Sequence, residues 1–140
     1  GCELIAIYNA IFLYGGEPSL PAIALSAEVT LGGIWAYGYF GTYPTFAKNY
    51  LKHVGIETET YLTAKSADKV KKAGDIFIVT FSNRSKSLKN IFSLHTVAVQ
   101  ILANGKVRAY NASRKEYDSI YSMAKTSSGW LTVKCYKLLK

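Results

Sequence analysis

His95-Thr96-Val97-Ala98-Val99-Gln100-Ile101-Leu102-Ala103-Asn104-Gly105-Lys106-Val107-Arg108-Ala109-Tyr110-Asn111 is the most informative stretch of the chain. Two β-rich runs flank a short connector at Ala103-Asn104-Gly105, which predicts an antiparallel hairpin. A three-residue loop with Gly105 left-handed in a bulge pairs Leu102 with Lys106 and, counting on, Val97 with Asn111. Glycine suits that place because it takes a positive φ without a Cβ penalty. The two-residue period of a strand then gathers His95, Val97, Val99 and Ile101 on one face. Asn111 falls on the same face, diagonal to His95. A two-residue loop would turn Asn111 to the opposite face.

Elements before the hairpin are mostly helical. Cys2 to Leu13 has Leu4, Ile5, Tyr8, Ile11 and Phe12 at helical spacing, with small Ala6 and Ala10 between them. Such a segment is apolar on most sides and is expected in the middle of a domain, ended by Gly15-Gly16. Pro18, Ser19 and Pro21 open a second helix that runs to about Val29. Gly32 to Gly41 mixes glycine with large rings and reads as a loop. Thr42 can cap a third helix bearing Phe46, Tyr50, Leu51 and Val54 and closed by Gly55.

A strand over Ile56 to Thr63, a short basic helix over Ser66 to Ala73 and an apolar strand over Asp75 to Ser82 follow. Asn83 to Asn90 is polar and lysine-rich, as an exposed loop would be. Beyond the hairpin, Tyr117 to Lys125 reads as a helix and Trp130 to Leu138 as the last strand. Helices first and an antiparallel sheet afterwards is the α+β pattern of one layer packed on another. The His95 face is expected to meet the first helix.

Composition agrees with one folded unit. The chain has 140 residues, the size of a single domain spanning 1–140, with 49% hydrophobic and 19% charged residues. The net charge of +8 is spread over scattered lysines without a basic arm or an RNA-binding aromatic signature, which argues against nucleic acid as partner. Leu4 to Leu13 is interrupted by Asn9 and falls short of the roughly 20 apolar residues of a membrane span. Two cysteines lack the CxxC or Cys/His clustering of a zinc site, so no metal or cofactor is expected. They leave the compartment undecided. Gly1-Cys2 also fits a tag scar, a mature start or the end of a lipoprotein signal, in which case Cys2 would carry lipid.

Cys2, His95 and Asn111 are the candidate catalytic set. A thiol reacts as its thiolate, which the positive end of a helix and a nearby imidazole both favour. Cys2 opens the first helix, although the neighbouring Glu3 carboxylate works against the charged form. His53 sits near a helix end, where an imidazole meets the last carbonyls and the negative dipole end. That leaves His95 as the base, with a core histidine satisfied by backbone groups as the competing role. Asn111 can orient the imidazole through its amide oxygen, or else simply start the turn Asn111-Ala112-Ser113. The set follows the logic of nucleophile, base and orienter.

Cys2-Glu3-Leu4-Ile5-Ala6-Ile7-Tyr8-Asn9-Ala10 resembles the nucleophile helix of bacterial papain-like cysteine peptidases related to double-glycine leader peptidases. Leu94-His95-Thr96-Val97-Ala98-Val99 resembles their histidine strand. Tyr110-Asn111 fits the third position, where leader peptidases commonly carry Asp and papain carries Asn. The resemblance implies a papain-like fold, with an N-terminal buried helix and further helices on an antiparallel sheet. It also implies cleavage of peptide bonds through an acyl-enzyme, with a peptide or protein as substrate. Trp35, Tyr37, Tyr39 and Phe40 are then candidates to line the substrate, unless those rings only pack.

Two alternatives share the broad fold. The family places a Gln or similar oxyanion donor a few residues before the cysteine, where this chain has only Gly1. Loss of one such donor costs ~10²–10³ in rate. A peptide-binding domain with weak or no turnover is therefore one alternative. A cell-wall amidase is the other, although that family usually starts its helix Asp-Cys-Ser, which Gly1-Cys2-Glu3 does not match.

Overall fold

The computed structural model describes residues 2–29, 44–82, 94–110, 115–127 and 132–139. The chain order is α1 (Cys2–Tyr14), α2 (Leu20–Val29), α3 (Pro44–His53), β1 (Thr58–Tyr61), α4 (Ala64–Val70), β2 (Ile76–Ser82), β3 (Leu94–Ile101), β4 (Val107–Tyr110), β5 (Glu116–Tyr117), α5 (Ile120–Ser127) and β6 (Thr132–Leu138). The strands form one sheet in the order β1-β6-β2-β3-β4-β5, and every pairing is antiparallel. The α+β class is as expected.

Helix ends follow the glycines. At the end of α1 the Gly16 amide bonds to the Ile11 carbonyl at 2.9 Å and the Gly15 amide to Phe12 at 3.1 Å, with Gly15 at φ 101. The same doubly bonded cap closes α3, where Ile56 bonds to Leu51 and Gly55, at φ 90, bonds to Lys52. Left-handed glycine is what lets both caps form. The hairpin register also holds. The Leu102 amide meets the Lys106 carbonyl at 2.8 Å, Gly105 has φ 84, and pairing continues from Ile101–Val107 to Ala98–Tyr110.

Helices cover both faces of the sheet. Ile76, Ile78, Ala98, Tyr136 and Leu138 pack with the buried residues of α1, α2 and α3. Phe77, Val79, Phe81, Val97, Val99, Ile101 and Cys135 pack on the other face with α4 and α5. This corrects the expectation that the face carrying His95 meets the first helix. The side chains of α1 pack against Ala98, whose face is opposite to that of Val97 and Val99.

Two further expectations are corrected. Only one side of α1 is buried, through Ala6, Ile7, Ala10 and Ile11, while Ile5, Tyr8 and Phe12 on its outer side are exposed, Phe12 by 66%. Tyr117, expected in a helix, pairs with Val107 in β5 and buries its ring in the α4/α5 core. The helix starts at Ile120 instead, where the Ser119 hydroxyl accepts from the Ser122 amide at 2.9 Å and Asp68 of α4 reaches across to accept from the Ile120 amide at 2.9 Å and the Tyr121 amide at 3.0 Å. Those orphan donors mark a helix start wherever an acceptor meets them.

Candidate functional site

The direction of α1 places its first residue. At its far end Tyr14 donates its hydroxyl to the Leu139 carbonyl at 3.1 Å. Leu139 follows β6 and bonds to Glu57 just before β1, so the C-terminus of α1 lies where β6 ends and β1 begins. At its near end Glu3 accepts the Ala47 amide of α3 at 3.1 Å. Because α3 leads through Gly55 to Glu57 and β1, α1 and α3 run the same way. A 13-residue helix and a seven-residue strand each cover about 20 Å. Cys2 therefore begins α1 at the sheet end where β3 and β6 start and β2 stops.

His95 belongs to that same end, paired with Phe81, which in turn lies opposite Thr132. Its ring meets Phe81 edge-on, with centroids 5.5 Å apart, and Phe81 is buried in the α4/α5 core. Cys2 and His95 thus share an end of the sheet, while the strand pleat directs the imidazole to the face away from α1. The Cys2 side chain lies outside what the structure describes, as do Asn111 and the rings of Trp35, Tyr37, Tyr39 and Phe40.

Beneath the start of α1 the core turns polar. Glu3, Thr80 and Thr96 are the buried polar or charged residues among those described. Thr80 continues the face of Ile76 and Ile78, and Thr96 that of Ala98, so both lie on the α1 side. Their hydroxyls meet at 3.0 Å. Tyr136 joins them from β6, and its buried hydroxyl has no hydrogen-bond partner among the described residues. Burial first, and then the Glu3 charge, push that hydroxyl up to about 12.

Neither threonine nor Tyr136 was a candidate from the sequence alone. A weak signal was present, since Thr80 and Thr96 break otherwise apolar runs at positions facing away from Val79 and Val97.

The second thiol is of a different kind. Cys135 is buried in the α4/α5 core. Burial, and less strongly Asp68, push it up to about 12. Such a thiol is neutral and inert at ordinary pH. Among the described residues no group of three or more His, Cys, Asp or Glu could hold a metal ion, and no helix is long and apolar enough to cross a membrane. No family model matches the chain, and none of the curated proteins matches it in sequence.

Proposed function

We propose that the protein is a papain-like cysteine peptidase or peptidase-like hydrolase, with Cys2 as nucleophile, His95 as base and Asn111 as orienter. The observation that carries this reading is the direction of α1, which brings Cys2 to the sheet end that holds His95. A helix N-terminus favours the thiolate through its unpaired amides and positive dipole end. The thiolate attacks the peptide carbonyl, the imidazolium gives its proton to the leaving amine, and water then hydrolyses the thioester. Since His95 lies on the face away from α1, its ring has to meet the thiol around the end of the strand rather than beneath the helix.

That same placement favours a second reading, a peptide-binding domain of similar fold without turnover, in which His95 is held by Phe81 as a packing residue. Alkylation of Cys2 by iodoacetamide, followed across pH, separates the two. An activated Cys2 reacts at pH 6 with a midpoint well below the ~8.5 of a free thiol, and His95→Ala moves the midpoint up toward it. A midpoint near 8.5 in both proteins sinks the peptidase reading. Cys135 serves as the silent internal control.

A further inference from the structure

We propose that Glu3 is the positioning residue for Cys2, an inference that rests on the peptidase reading above. The residue after a nucleophile would be expected to harm it, because a carboxylate beside a thiol favours the neutral form. The structure gives this side chain another task. Glu3 is only 3% exposed, and its Oε1 accepts the Ala47 amide of α3, 44 residues away in sequence.

Ala47 is the fourth residue of α3, at the end of its opening turn, and Pro44 at the first position has no amide hydrogen at all. Glu3 is also in the first turn of α1. With both helices running the same way, one carboxylate is shared between two positive helix ends. This explains how a charged group is tolerated in a core, since burying it without such partners would be costly.

The consequence falls on the adjacent residue. The first turn of α1 lacks the helix's own hydrogen bonds and would otherwise fray, so the strap to α3 holds the backbone of Cys2 at the sheet end near His95. On the sheet side the Glu3 charge adds to burial in pushing the Tyr136 hydroxyl up.

Two substitutions separate reach from charge. Glu3→Gln keeps the length and an acceptor oxygen but loses the charge; Glu3→Asp keeps the charge but is one methylene too short for Ala47. The readout is the pH midpoint of Cys2 alkylation, with circular dichroism confirming the fold. If Glu3 positions Cys2, Asp raises the midpoint by about one unit, an approximately tenfold slower reaction at pH below the wild-type midpoint, and Gln stays near wild type. If Glu3 acts only as a charge, Gln accelerates the reaction and Asp matches wild type, which overturns the proposal. A lower melting temperature for Asp with an unchanged midpoint marks a merely structural strap and overturns it as well. A wild-type Cys2 that titrates like a free thiol overturns both this proposal and the peptidase reading, whereas an activated wild type indifferent to Asp overturns this one alone.

Discussion

The two faces of the sheet are built on different terms. Under α4 and α5 the buried set is Phe77, Val79, Phe81, Val97, Val99 and their partners, with the neutral Cys135 thiol among them. Under α1 the core carries Glu3, the Thr80–Thr96 pair and the Tyr136 hydroxyl. Apolar burial is non-directional and tolerates many packings, whereas a buried polar group costs about 1–3 kcal/mol if left unpaired. Polar residues are therefore expensive to keep in a core. Their gathering on the α1 face sets that face apart as the one where geometry is specified, and the opposite face as the one built by apolar burial.

The division can be broken most directly from the apolar side. Phe77 is fully buried against α4 and α5. Phe77→Ala is expected to cost about 3–5 kcal/mol in urea unfolding while leaving the pH midpoint of Cys2 alkylation unchanged in the folded fraction. A shifted midpoint would show that the two faces are not independent.

A smaller effect is expected from the threonine pair. Thr80→Val should destabilise by about 1–3 kcal/mol, and a double-mutant cycle with Thr96→Val should show coupling of about 0.5–3 kcal/mol, because removing both hydroxyls leaves neither facing an apolar partner. Strict additivity would mean that the 3.0 Å contact contributes nothing.

A gradual effect, which builds up with pH instead of being present throughout, is alkaline and draws on both faces. Cys135 and Tyr136 are each raised to about 12, from 9.0 and 10.0. A raised folded-state value means that the unfolded chain loses its proton first. The associated stability is complete below the unfolded values and is lost as pH rises from about 9 to 12 for the thiol and from about 10 to 12 for the phenol. Within those windows each group is expected to lower stability by about 1.4 kcal/mol per pH unit. Cys135→Ala should remove the part that starts near pH 9, and Tyr136→Phe the part that starts near pH 10. A slope unaffected by either substitution would place the alkaline sensitivity elsewhere.

Local features were legible in the sequence because each depends on a few adjacent residues. Gly15 and Gly55 end their helices at positive φ, and the Ala103-Asn104-Gly105 loop sets the register that pairs Ala98 with Tyr110. The helices and strands were recognisable from periodicity, apart from Tyr117, which pairs with Val107 ahead of a helix whose start is marked by Ser119 and by Asp68 reaching over from α4. Asp68 lies 52 residues from Ile120, and no local pattern announces such a contact.

The candidate site divides the same way. A two-residue period establishes that His95, Val97 and Val99 share a face, and that Thr96 and Ala98 share the other, from the pleat alone. Which of those faces receives α1 is a matter of packing. Both are apolar enough to bury, and the choice rests on how helices from distant parts of the chain divide the sheet between them. The thiol and imidazole were thus recognisable as residues, and their common end of the sheet follows from contacts at Tyr14 and Glu3 that join α1 to β6 and α3. Sequence settles what alternates along one strand. Which layer each side meets is settled by contacts tens of residues apart, because burial rewards area covered and is indifferent to the order in which the chain supplies it.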